Sequence, residues 1–267
     1  MPNLQLRDMI MYYEEAGSGE PLVLIMGLGG DLQGWALQVP TLAKHFRVIT
    51  FDNRGAGRSS APDRPYNIAG MADDVAGLMD HLKIEKAHIL GFSMGGYIAQ
   101  EFALKYAARV DKLILLATAA AIDGYGRNIV SGWINVRRSN MSREQVARLQ
   151  ATWLYSPDLL DDEARFERSI QNSLANPYAQ QDHAFIRQGQ AVLGFDAAGR
   201  IGKIQTSTLV VAAKDDILVP PRNAEKLATL LPKATLKVLD GAHLGCMEYP
   251  NEYNAAFLEF LGAAVPA

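Results

Sequence analysis

Short apolar runs alternate with amphipathic segments along most of this chain, and this alternation constrains its fold more than any other feature. The runs are apolar at nearly every position, which is typical of strands covered on both faces. Two strand-like pieces at residues 3–15 are compatible with an opening hairpin. The further predicted strands are 21–26, 46–51, 86–92, 110–119, 208–213 and 234–240, and the predicted helices are 36–45, 68–82, 94–107, 221–231 and 250–263. This order predicts an α/β fold with a mostly parallel central sheet and helices on both faces.

Between residues 120 and 197 the alternation stops and the sequence favours helices. Ser142 precedes Gln145 by three residues, which is the pattern of a capping box at a helix start. Ser156 and Pro157 mark a second start, because proline fits the first position of a helix. A block of helices inside a strand–helix series predicts an inserted helical cap at 120–197. The remaining residues, 1–119 and 198–267, form the predicted core.

Charge and cysteine content exclude several classes of function. The formal net charge is −3, so no basic field indicates binding to nucleic acid or to an anionic membrane. No apolar run reaches the ~18 residues that would predict a membrane-spanning helix. Cys246 is the only cysteine, which excludes an intrachain disulfide and favours a reducing compartment. The first residues lack the pattern of a secretory signal, so we expect a cytoplasmic protein.

Ser93 stands between glycines in the stretch ILGFSMGGYIAQEF, after a predicted strand and before a predicted helix. In a tight turn between a strand and a helix, a serine flanked by Gly91 and Gly95 can raise its hydroxyl as a nucleophile. A serine that merely caps the helix is the competing interpretation. A phosphate-binding loop is excluded, because no Lys-Ser or Lys-Thr follows these glycines.

A serine nucleophile needs a base to take its proton and an acid to orient that base. Of the five histidines, His243 is the best candidate base, because it follows the predicted strand 234–240. The carboxyl ends of parallel strands are where active sites gather. Three carboxylates that follow strands compete as the acid: Asp123, Asp215 and Asp216.

The chain resembles the α/β-hydrolase superfamily, in the branch with a helical cap. The resemblance rests on five motifs in order: MGLGG at 26–30, DNRGAGRS at 52–59, GFSMGG at 91–96, AAKDDILVP at 212–220 and GAHLGCMEYP at 241–250. In similar proteins the acid stands four residues before the proline of the fourth motif, which selects Asp216. The resemblance also pairs His243 with Glu248, five residues later.

The residue after the nucleophile, Met94, is the first predicted donor of an oxyanion hole, through its backbone N–H. By the same resemblance, the second donor is the backbone N–H of Leu28. Met26 stands where the family usually has a histidine that braces this loop, which leaves the support of the loop open. The spacing of a dinucleotide-binding motif would require glycine at position 32, where the chain has leucine. We therefore expect no cofactor and no metal.

The predicted function is a serine hydrolase that cleaves a small carboxylic ester through an acyl-enzyme on Ser93. The alternatives are an enol-lactonase, a C–C bond hydrolase, a cofactor-free haloperoxidase, and a small-molecule receptor that retains the triad. The expected partner is a small-molecule ester, without nucleic acid or membrane, and a homodimer stays open. The predicted pocket residues of the cap are Trp133, Met141 and Trp153, and Tyr155 and Phe166 are weaker candidates. For most of these five, packing in the core of the cap is the favoured alternative, because large apolar side chains are usually buried.

Overall fold

A computed structural model describes residues 3–265. The outermost residues of the predicted core, 1–2 and 266–267, lie outside the described residues. One eight-stranded sheet has the order β1-β2-β4-β3-β5-β6-β7-β8, and all pairs from β4 onwards are parallel. The strands are β1 Asn3–Gln5, β2 Ile10–Ala16, β3 Glu20–Ile25, β4 Phe46–Phe51, β5 Ala87–Phe92, β6 Val110–Leu116, β7 Ser207–Ala213 and β8 Ala234–Leu239. The predicted fold class, a mostly parallel sheet with an antiparallel start, is confirmed.

Eleven α-helices lie within residues 3–265. They are α1 Val39–Leu42, α2 Ile68–His81, α3 Met94–Lys105, α4 Gly124–Arg137, α5 Arg143–Leu154, α6 Pro157–Asp161, α7 Glu163–Ala175, α8 Asp182–Leu193, α9 Pro221–Leu230, α10 Gly245–Glu248 and α11 Pro250–Leu261. The helix predicted at 36–45 is only the single turn of α1, which follows a 3-10 turn at Leu32–Trp35. Pro40 lies in the first turn of α1. A helix that contains it must begin close to it, because proline lacks the backbone N–H that an interior helical position donates.

The strands bury both of their faces, which explains why their sequences do not alternate. In β3, Val23 and Ile25 belong to one apolar cluster, whereas Leu22 and Leu24 belong to a second cluster on the opposite face. The first cluster includes side chains of α2 and α3, and the second includes side chains of α11. Apolar side chains on both faces are removed from water, and this is the main favourable term in folding.

The predicted strand 110–119 ends earlier than expected, at Leu116. Ala117 has a φ of 49°, a left-handed conformation that a strand cannot continue. The Thr118 hydroxyl then donates to the backbone carbonyl of Ser93 at 2.9 Å. The turn after β6 therefore supports the turn after β5.

Residues 120–197 contain α4 to α8, and α4 packs against α8. The predicted start of α5 is present, because Ser142 and Gln145 exchange both bonds of a capping box. Ser156 caps α6, with Pro157 in the first turn. No helix within residues 3–265 combines the length and the apolar character needed to cross a membrane.

Candidate active site

Ser93 occupies a strained turn between β5 and α3, with φ 54° and ψ −117°. The two flanking glycines have no room for side chains. A Cβ on Gly91 would lie 2.3 Å from the carbonyl oxygen of Gly95, and a Cβ on Gly95 would lie 2.1 Å from that of Ile25. The Ser93 side chain makes no capping bond to α3. Backbone strain of this kind persists only where the surrounding structure enforces it, and it is found mostly at functional sites.

The side chains of Ser93, His243 and Asp216 lie in one line at the carboxyl edge of the sheet. The Nε2 atom of His243 is 3.0 Å from Ser93 Oγ, and its Nδ1 atom is 2.8 Å from Asp216 Oδ2. His243 and Asp216 are almost completely buried, at 3% and 2% exposure. Because a carboxylate can only accept, Nδ1 carries the proton, and Nε2 is left to accept from the serine hydroxyl. In this arrangement the imidazole can remove the serine proton.

The geometry also separates Asp216 from Asp123, one of the carboxylates that compete with it. The second carboxylate oxygen of Asp216, Oδ1, accepts from the backbone N–H groups of Leu218 and Val219 at 2.9 and 2.8 Å, so both oxygens are committed. Asp123 instead caps α4 by accepting from Gly126 N–H, and its other oxygen lies near Arg222 at 3.6 Å.

The loop after β3 brings its backbone close to the serine turn. A Cβ on Gly27 would lie 3.0 Å from the Cβ of Ser93. Within residues 3–265, the amides of Leu28 and Met94 donate to no acceptor. Met94 is the first residue of α3, where a backbone N–H has no acceptor within the helix. Two free amides near one nucleophile can bind a developing oxyanion.

Two side chains support the loop after β3 that contains Met26 and Gly29. The Asn53 amide donates to the Met26 carbonyl at 2.8 Å. Gln188 of α8 accepts from Gly29 N–H at 3.3 Å and donates to the Arg54 carbonyl at 2.9 Å. Gln188 is fully buried. No feature of the sequence marks this glutamine, because its importance comes from the contact between α8 and the loop.

A cavity of about 820 Å³ opens onto the serine. Its wall includes Ser93, Met94, Leu28 and His243. Residues 120–197 contribute Trp133, Leu154 and Tyr155, among others. This volume is in the range of pockets that enclose a small molecule. Within residues 3–265, no three His, Cys, Asp or Glu side chains converge as metal ligands.

Two side chains of α4 present buried nitrogen donors to the cavity. Trp133 Nε1 and Arg137 Nε are both enclosed, and neither makes a hydrogen bond within residues 3–265. The two residues are four apart on one helix face, and both line the cavity. The Arg137 guanidinium lies 4.5 Å above the ring of Phe185, and its Nη1 is 3.1 Å from a carboxylate oxygen of the exposed Asp182. No sequence motif singles out Arg137.

The pocket prediction needs a correction for Met141 and Trp153, neither of which lines the cavity. Met141 is 36% exposed, in the connection between α4 and α5. Trp153 packs edge-on against Tyr125, at 6.1 Å between ring centroids, and against the apolar cluster of Ile129, Trp133, Phe185 and Leu218. Of the two weaker candidates, Tyr155 lines the cavity and Phe166 does not. The sequence identifies large apolar residues of the cap, but it does not tell which face of each helix meets the cavity.

Cys246 lies three residues beyond His243, in the apolar cluster that contains Phe92 and Tyr253. Its side chain is only 1% exposed. Burial raises the pKa of the thiol from its ordinary 9.0 to about 12. The thiol is therefore neutral near pH 7, and its place in the structure is that of a small apolar side chain.

Comparison with known proteins agrees with the fold. A family model described as alpha/beta hydrolase fold matches residues 20–250. A protein of Azorhizobium caulinodans named as a carbamate hydrolase, RutD, is 33% identical, with 98% of each chain covered. The 3-oxoadipate enol-lactonase 2 of Acinetobacter baylyi is 29% identical, over 95% of this chain and 93% of its own. The crystal structure of the enol-lactonase from Burkholderia xenovorans LB400 superposes with a TM-score of 0.90 at 28% identity, over 98% of this chain and all of the other. The chain therefore belongs to the α/β-hydrolase family.

Proposed function

We propose that this protein is a serine hydrolase that cleaves a small carboxylic ester or lactone, with Ser93, His243 and Asp216 as its catalytic triad. One observation carries the proposal: Ser93 Oγ lies 3.0 Å from His243 Nε2 and is not used as a helix cap. This contact favours a nucleophile over the competing role of a capping serine. The hydrolase family of the chain supports the class of reaction.

In the proposed mechanism His243 takes the hydroxyl proton as Ser93 attacks the substrate carbonyl. The amides of Leu28 and Met94 bind the oxyanion of the tetrahedral intermediate, and each such donor contributes about 3 kcal/mol of transition-state stabilisation. His243 then protonates the leaving alcohol, and the acyl group stays on Ser93. Water activated by His243 releases the acid and restores the serine. Asp216 keeps the imidazole in the required tautomer throughout, through the 2.8 Å bond to Nδ1.

The unpartnered donors of α4 support a substrate that carries an acceptor group, and a carboxylate fits them best. A buried donor without a partner costs about 1–3 kcal/mol, which an acceptor on the substrate would recover. A guanidinium binds a carboxylate through two parallel N–H bonds, and Arg137 has its Nε side free. A lactone made from a dicarboxylic acid, such as the one named for the Acinetobacter baylyi relative, keeps one free carboxylate. We therefore favour a small acidic ester or lactone.

A carbamate is the second candidate substrate, since the protein of Azorhizobium caulinodans carries that name at 33% identity. Its carbonyl would meet the same nucleophile and the same two amides. The cavity volume is compatible with either compound, so turnover must discriminate between them. Equal concentrations of a small ester, an enol-lactone with a carboxylate, a carbamate and a C–C hydrolase substrate would be compared at one enzyme concentration.

The nucleophile is tested by a fluorophosphonate probe, which phosphonylates an activated serine. We expect labelling at Ser93 in the wild type, and no labelling or turnover in Ser93→Ala. Mass mapping to another residue, or full activity in Ser93→Ala, would disprove the assignment. A variant that loses turnover but keeps a ligand-dependent effect on a partner protein would instead support the receptor alternative.

A further inference from the structure

The loop that carries His243 is held by hydrogen bonds on both sides of the histidine. On one side, the backbone N–H of Leu244 donates to the Leu154 carbonyl at the end of α5, at 3.0 Å. On the other side, the N–H of Ala242 faces a carboxylate oxygen of Glu248 at 3.4 Å. Both connections bypass the sheet. The histidine loop therefore has a second set of supports besides β8 and Asp216.

Glu248 joins this loop to the beginning of α6. Its carboxylate accepts from the backbone N–H of Ser156 at 3.2 Å and also from the Ser156 hydroxyl. Ser156 is only 3% exposed, and its hydroxyl oxygen accepts from Leu159 N–H as the cap of α6. Three donors from two separate parts of the chain thus converge on one side chain. We use the name cap–histidine bridge for Leu154, Ser156, Ala242, Leu244 and Glu248.

The turn into His243 passes through Gly241, which has a φ of 102°, a conformation that residues with a side chain rarely adopt. Asp216 holds one ring nitrogen, and the Phe92 ring lies 5.0 Å from the imidazole centroid. One hydrogen bond and one ring contact restrict the tilt of the imidazole only in part. Holding the backbone on both sides of His243 restricts it further. Misplacement of a reacting group by about 1 Å can cost 100-fold in rate.

We infer that Glu248 is a positioning residue for His243: it holds the histidine loop against the cap through Ala242 and Ser156, and so keeps Nε2 within reach of Ser93. This inference rests on the proposed function. Glu248 does not react and need not touch the acyl carbon. Leu154 belongs to the cap–histidine bridge, and Tyr155 lies between Leu154 and Ser156. Both residues line the cavity, so the same segment faces the substrate and supports the base.

The test compares Glu248→Ala with Glu101→Gln. Glu101 is a second largely buried carboxylate, paired with Arg200 at 2.9 Å, away from the cavity lining. Turnover is divided by the number of sites that the fluorophosphonate titrates to completion. We expect Glu248→Ala to lower kcat per site by about 10- to 100-fold with KM changed less, because the loss is in the alignment of the base. We expect Glu101→Gln to lower Tm and leave kcat per site unchanged.

A spectroscopic readout separates positioning from a merely structural role. The proton of His243 Nδ1 that bonds to Asp216 should give a low-field resonance in the wild type. In Glu248→Ala this resonance should shift or broaden, and in Glu101→Gln it should stay in place. Glu248→Gln keeps one acceptor oxygen for Ser156 and should lose less activity than Glu248→Ala. If Glu248→Ala does not fold, kcat per titrated site and the low-field resonance are measured in Glu248→Gln and Ser156→Ala instead.

Two outcomes would overturn the inference. One is a lower Tm with unchanged kcat per titrated site in the Glu248 variants, and the other is an unchanged low-field resonance. Either leaves the proposed function intact as long as the wild type is labelled at Ser93. A wild type that is not labelled at Ser93 and shows no turnover would instead contradict the proposed function itself.

Discussion

Ser93 Oγ and His243 Nε2 lie 3.0 Å apart although 150 residues separate them in the chain. The two residues follow different strands of one sheet, β5 and β8, and the loops after these strands meet at its carboxyl edge. The five helices between residues 124 and 193 come between β6 and β7 in the chain and contribute to the cavity above this contact. The distance therefore depends on the strand order and not on any local pattern.

Asp216→Asn should lower kcat by about 10⁴-fold, because an amide that faces Nδ1 favours the wrong tautomer of His243. The asparagine oxygen can still accept from Leu218 and Val219, so Tm should change little. Steady-state kinetics and thermal unfolding measure both effects. The neighbouring Asp215→Asn serves as the control and should retain activity. Comparable losses in the two variants would refute the assignment of the acid.

Gly95→Ala should disrupt the serine turn, because the new Cβ would lie 2.1 Å from the carbonyl oxygen of Ile25. Overpacking against backbone costs typically 1–3 kcal/mol, and the shift also moves the Met94 amide, so activity should fall as well. Gly132→Ala, in the middle of α4 with no atom within 4 Å of its Cβ position, should stabilise the protein by about 0.5–1 kcal/mol. Chemical denaturation of both variants checks the contrast, which would fail if the two changes had similar effects.

The Cys246 thiol should resist alkylation in the folded protein at pH 8 and react fully in denaturant, because its pKa is raised to about 12. Unfolding returns the pKa to its ordinary 9.0, so between these values the unfolded state loses a proton that the folded state keeps. The free energy of unfolding should therefore fall as the pH rises above about 9. Cys246→Ala should show a weaker decline over this range. Rapid labelling of the native protein would contradict the burial of the thiol.

Arg137→Met and Trp133→Phe should raise KM for esters that carry a carboxylate and leave KM for neutral esters nearly unchanged. Both substitutions remove a buried donor while keeping an apolar side chain of similar size at the cavity wall. The loss of one hydrogen bond to a charged group corresponds to about 1.5–3 kcal/mol, or roughly 10- to 150-fold in KM. A matched pair of esters with and without a terminal carboxylate provides the measurement. Equal effects on both esters would show that these residues shape the cavity without recognising an acid.

Much of the core could be predicted from the sequence because its signals are local. Strands buried on both faces are apolar throughout, and every predicted strand of the core appears within a few residues of its expected bounds. The serine turn could also be predicted, since Gly91 and Gly95 stand where a side chain would collide with backbone. The apolar pattern of a strand and the steric limits of a turn each involve only a few neighbouring residues, so both can be recognised in one sequence.

The remaining features depend on contacts between distant segments. Asp216 is chosen over Asp123 and Asp215 because it is the carboxylate that lies beside His243. The loop that contains Leu28 is supported because α8 packs against it and places Gln188 there. Met141 and Trp153 were expected at the pocket, but Met141 lies in the connection between α4 and α5 and Trp153 packs against Tyr125, so neither lines the cavity. The sequence by itself determined the strands, the strained serine and the residue types at the ends of the strands. Only the tertiary structure decided which of those residues meet, because distances between loops depend on the packing of the whole chain.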